Sequence, residues 1–69
     1  MKIELIKKPG GGCPPCDKAK MELEKLSKEK NFELIVTEAP NDFWPAYKIH
    51  EDGTTTDVTR KAINERLGI

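Results

Sequence analysis

The reading turns on Pro9-Gly10-Gly11-Gly12-Cys13-Pro14-Pro15-Cys16-Asp17, residues 9–17 of the chain. A proline and three successive glycines favour neither helix nor strand, so regular structure stops before them. Pro14 and Pro15 lack backbone N–H groups, and a helix tolerates that only in its first turn, where amides have no intrahelical partner. A helix therefore begins at the cysteine pair. Upstream, Ile3 and Leu5 alternate with Lys2 and Glu4, which predicts a strand over residues 2–7. Ile6 is the apolar exception on its polar side. Downstream, Ala19, Leu23 and Leu26 fall at i, i+4 and i+7 among Lys, Glu and Asp, which predicts a helix over residues 14–30.

Phe32, Leu34 and Val36 alternate with Glu33, Ile35 and Thr37, giving a second strand. Residues 38–44 contain Pro40, Asn41 and Asp42 and read as loop. After Pro45, Ala46-Tyr47-Lys48-Ile49-His50 forms a third strand. Asp52-Gly53 signals a hairpin turn, and Thr54-Thr55-Thr56 supplies the β-branched partner strand. A last helix is expected with Val58, Ala62, Ile63 and Leu67 as its apolar stripe, Asp57 or Thr59 as its cap, and Gly68 after it. The order is β-α-β-β-β-α within one domain, residues 1–69.

Sixty-nine residues leave no room for a second domain. A chain this short buries only ~60% of the surface its unfolded form exposes, so a thin core is expected. Twelve basic residues balance twelve acidic ones, without the basic excess of a nucleic-acid binder. The first eight residues carry Glu4 and break their apolar run with charge, unlike a signal peptide or membrane span. The expectation is a soluble, cytoplasmic monomer with no nucleic-acid or membrane partner.

The position of the cysteines suggests their chemistry. Cys13 falls where a helix starts, and free N–H groups and the positive end of the helix dipole favour a thiolate there. A free thiol titrates near ~8.5, and sites of this kind bring it down to ~3.5–7.5. Cys16 follows one turn later, within reach of a mixed disulfide formed on Cys13. Cys13 is the expected nucleophile and Cys16 the resolving thiol. Neither proline can donate to the sulfur, which leaves the amide of Cys16 and the helix field to do so. Lys7, Lys8 and Lys18 favour the thiolate and Asp17 opposes it.

Other readings of the pair remain open. The thiols could be structural, buried between strand and helix. Zinc needs four ligands, and beyond the cysteines only His50 and scattered carboxylates are at hand. A metal-binding chaperone of the ferredoxin-like type is of similar length and carries Cys-x-x-Cys after its first strand. That architecture ends in a strand, whereas residues 63–69 here read as helix, and Gly11 stands where such chaperones usually have methionine. Last, the chain could be a redox-silent interaction domain.

Taken together, the strand, the Cys13-Pro14-Pro15-Cys16 helix start, Pro45 before a strand, Asp52-Gly53 and the final helix resemble the glutaredoxin branch of the thioredoxin superfamily. The resemblance implies an α/β, truncated thioredoxin-like fold: a four-stranded mixed sheet with two helices on one face. It also implies dithiol exchange on protein disulfides, with the Cys13–Cys16 disulfide as the only redox group and no metal or added cofactor. Glutathione or thioredoxin reductase would reset the pair, and ribonucleotide reductase is one implied electron acceptor. The family's cis-proline falls on Pro45, which makes Trp44 the substrate-facing residue; core packing is the alternative for Trp44.

Three departures stand out. Residues 38–44 are too few for the helix that the family places between the second strand and the cis-proline, so one sheet face should lie open. Phe43 or Trp44 is expected to fold over Ile6 and Ile35 in that helix's place. The family's Gly-Gly-x-Asp-Asp glutathione signature survives only as Thr55-Thr56-Asp57-Val58, and the expected role of Asp57 is the helix cap. Finally, the buried acid that thioredoxins carry ahead of the cysteines has no counterpart, and Lys7 stands near its place. Among the remaining residues, His50 reads as solvated surface, Met21 and Tyr47 as packing residues, and Lys18 to Lys30 as an exposed helix face.

Overall fold

The computed structural model describes all residues, Met1–Ile69. Its first strand, β1(Lys2–Lys7), sets the sheet by alternation: Ile3 and Leu5 are fully buried on one side, and Lys2 and Glu4 lie on the other. β2(Glu33–Glu38) runs parallel to β1, β3(Ala46–Glu51) antiparallel to it, and β4(Thr54–Val58) antiparallel to β3. The four-stranded mixed sheet has the order β2-β1-β3-β4. The β3–β4 turn places Asp52 and Gly53 both at positive φ, 53° and 76°, as a two-residue hairpin turn of this kind demands.

Both helices pack on the Ile3–Leu5 side. From α1(Pro14–Lys30) come Ala19 and Leu23, from α2(Arg60–Leu67) comes Ile63, and Phe32 closes the cluster just ahead of β2. Leu26, Leu34, Tyr47, Ile49, Val58 and Leu67 pack half-buried around it. Only 8 of 69 residues are buried, which is the thin core expected of this length.

The opposite face carries no helix, and its charges are matched across strands. Lys2 pairs with Glu33, Lys48 with Asp57, and Glu4 with His50. Ile6, on this face, is nevertheless 92% covered: the loop of residues 39–45 runs over it. Phe43 and Ile6 line one cavity there together with Ala39, Pro40 and Ala46, and the Trp44 indole N–H pins the loop by donating to the Ala39 carbonyl at 3.0 Å. The loop thus occupies the side where the helix is missing, but Phe43 itself is 68% exposed and does not pack down over the sheet as expected. Ile35 does not line that cavity and stays half-buried.

Several local expectations are corrected. Val58 belongs to β4, because its register partner is Tyr47 and both side chains pack on the core. With Val58 in the strand, Thr59 is the cap of α2, its hydroxyl accepting from the Ala62 N–H at 3.1 Å. Asp57, expected as the cap, instead faces Lys48 on the open side. Met21 is 72% exposed, since it lies off the Ala19–Leu23 stripe that meets the sheet. His50 is not free surface but is bonded on both ring nitrogens, to Glu4 and to Thr55.

Candidate active site

The chain leaves β1 and must reverse before α1. Gly10, Gly11 and Gly12 do this with φ values of 80°, 84° and 74°, a left-handed run that residues with a Cβ adopt only under strain. The loop delivers Cys13 to the N-cap of α1, with Pro14 and Pro15 in the first turn as their missing amides require. Cys13 has non-helical φ and ψ of −129° and 85°, and its carbonyl accepts from the amides of Cys16 and Asp17 at 3.0 and 3.1 Å.

The Cys13 sulfur itself does what a capping oxygen usually does. Sγ accepts from the Cys16 N–H at 3.3 Å, the amide that the two prolines leave for it. That donor and the helix dipole both favour negative charge on Sγ once the pair is reduced. Cys13 and Cys16 are joined as a disulfide with Cα atoms 5.2 Å apart. The two sulfurs are not equivalent. Cys13 is half-exposed at the helix end, whereas Cys16 is fully buried behind it. A reactant can approach from outside only along Cys13.

Register brings Pro45 to the same end of the sheet. Ile6 pairs with Ala46, so Pro45 stands one residue beyond, next to the strand end that carries Lys7 into the glycine loop. The Trp44–Pro45 peptide bond is cis, in accord with the place assigned to it by resemblance. Trp44 is half-buried, and its ring nitrogen is held within its own loop by Ala39. The neighbouring cavity of about 360 Å³ involves neither cysteine and not Pro45. Asp57 lines that cavity with Lys48, on the sheet face away from α1.

In the sequence Lys7 is one of the lysines around the pair and stands near the place of a missing buried acid; its partner was not legible there. Lys7 follows Ile3 and Leu5 on the helix-facing side of β1, and its side chain is only 16% exposed. Its Nζ lies 3.3 Å from the Asp17 carboxylate, directly after Cys16 in the first turn of α1. The signal was strand parity: position 7 shares the face of positions 3 and 5. Elsewhere no three histidine, cysteine or carboxylate side chains converge on a point that could hold a metal ion.

The sequence matches no protein-family model and no curated protein. Among solved structures it is similar to thioredoxin 1 from the thermophilic eubacterium Thermosipho africanus TCF52B, with a TM-score of 0.72 at 18% identity over 99% of this chain and 88% of that one. The likeness is one of fold: the chain has a truncated thioredoxin-like fold, with a Cys-x-x-Cys pair at the start of its first helix.

Proposed function

We propose that the chain is a small thiol–disulfide oxidoreductase of glutaredoxin-like type that reduces protein disulfides. The observation that carries this reading is the asymmetry of the pair: a half-exposed Cys13 sulfur capping α1, bonded by the Cys16 amide, with Cys16 buried behind it. In the reduced protein the Cys13 thiolate attacks one sulfur of a substrate disulfide, and the other leaves as a thiolate and takes up a proton. The Cys16 thiol then gives up its proton and attacks Cys13 Sγ, expelling the second substrate sulfur. The substrate gains two electrons and two protons, and the enzyme is left with the Cys13–Cys16 disulfide. Two glutathione thiols, or the dithiol of a thioredoxin reductase, restore it and become disulfides in turn.

Trp44 and Pro45 form the substrate-binding edge in this reading, supported by the register that sets Pro45 beside the end of β1. The natural setting is the cytoplasm, where such pairs cycle rather than persist as disulfides. Ribonucleotide reductase is one acceptor of the electrons, by resemblance to small glutaredoxins.

The test is reduction of insulin and of a mixed glutathione disulfide by wild type, Cys13→Ser and Cys16→Ser. Wild type turns over both substrates. Cys13→Ser falls to background on both, and Cys16→Ser keeps part of its activity on the glutathione substrate alone. Background rates for wild type on both substrates would remove the proposal.

A further inference from the structure

We infer that Lys7 is an electrostatic positioning residue for the redox pair, a largely covered ammonium that favours the thiolate of Cys13 and is held in check by Asp17. The inference rests on the reading of Cys13 and Cys16 as a dithiol site. It begins with strand parity. Ile3, Leu5 and Lys7 project from β1 toward the helices, and at the Lys7 level the element above is the first turn of α1. That turn contains Cys16, which is fully buried, and Asp17, whose carboxylate lies 3.3 Å from Lys7 Nζ.

An ammonium whose side chain is only 16% exposed is costly unless it is paired, and Asp17 supplies the pairing. The pair is lopsided. Asp17 is 69% exposed, so water screens the negative end, while the positive end is enclosed beneath the turn that carries the cysteines. A carboxylate at the Lys7 position would oppose a thiolate nearby, and an ammonium favours it. The other groups around this point add little that competes. Glu38, the register neighbour on β2, is exposed, and Pro45, just before β3, is uncharged. Lys8 and Lys18 are exposed, and Arg60 at the start of α2 is committed to Glu22.

The two partners of this ion pair therefore act with opposite sign on the sulfur. A purely structural tie between β1 and α1 behaves differently: loss of either partner weakens the same link and gives the thiol no signed response. Asp17→Asn keeps an amide oxygen that accepts from the Lys7 ammonium, so it disturbs the fold less than outright loss of the partner and secures the test should the Lys7 variant fold poorly.

The experiment titrates Cys13 by the ultraviolet absorbance of its thiolate in a Cys16→Ser background, so that one thiol is read. Lys7→Met is expected to raise the midpoint by about 1 pH unit, Asp17→Asn to lower it by several tenths, and Lys7→Arg to leave it near the parent value. In the two-cysteine protein, Lys7→Met makes the disulfide harder to reduce and Asp17→Asn makes it easier. A parent with an acidic thiol whose midpoint does not move, or moves the same way in Lys7→Met and Asp17→Asn, overturns the role of Lys7 alone. A parent that titrates as an ordinary cysteine overturns the dithiol reading and this inference with it.

Discussion

Glu4 shows how one side chain ties the middle of the sheet together. Its carboxylate accepts from His50 Nε2 at 2.7 Å, and the other ring nitrogen, Nδ1, is hydrogen-bonded to the Thr55 hydroxyl at 2.9 Å. The His50 hydrogen bond holds the Glu4 carboxyl below its usual range; burial works against this, and a bond from Thr37 assists it. A carboxyl lowered by folding contributes stability that is complete above its unfolded value and is lost as pH falls through the folded one. Urea midpoints of Glu4→Gln measured from neutral to acid pH should therefore decline less on the acid side than those of wild type. Parallel declines would show that Glu4 contributes nothing to the acid limb. None of this chain of bonds was legible in the sequence, because Glu4 and His50 are separated by 46 positions and meet only through the β1–β3 register. Cys13 was legible, since two prolines after it leave a helix one place to start.

At the level of elements, α1 could be read because glycine loop, proline pair and apolar stripe all agree on where it begins and which side it buries. The start of α2 could not, because Asp57 and Thr59 are both good capping residues. The length of the β3–β4 hairpin decided between them: pairing Val58 with Tyr47 keeps Asp57 in the strand and passes the cap to Thr59. Thr59→Ala should cost about 1 kcal/mol by chemical denaturation, whereas the exposed Asp57→Ala should change stability by less than about 0.5 kcal/mol. The glycine loop makes its own demand. Gly11 has open space around an added Cβ but a φ of 84°, so Gly11→Ala should destabilise by about 1 kcal/mol through backbone strain alone, measured the same way.

The whole molecule is a sheet with one face served by two helices and the other by a loop and cross-strand charge pairs. A missing helix was legible from the short interval between β2 and Pro45. What replaced it was read only in part: Phe43 shares a cavity with Ile6, but no aromatic reaches Ile35 through it. Loop paths depend on packing that alternation does not encode. So small a core leaves little reserve. At about 0.05–0.15 kcal/mol per residue the total is about 3–10 kcal/mol, and truncating a fully buried Ile63 costs about 2–5. Ile63→Ala should therefore populate unfolded chain in thermal melts that leave wild type folded.

The fold sets the Cys13 sulfur at its rim and hides Cys16, and that asymmetry can be caught covalently. Cys16→Ser and Cys13→Ser proteins, each incubated with oxidised glutathione and examined by mass spectrometry, test it most directly. A mixed disulfide should accumulate on Cys13 in the first protein and form far more slowly in the second. Equal adduct formation at Cys16, or none at either position, would contradict the account.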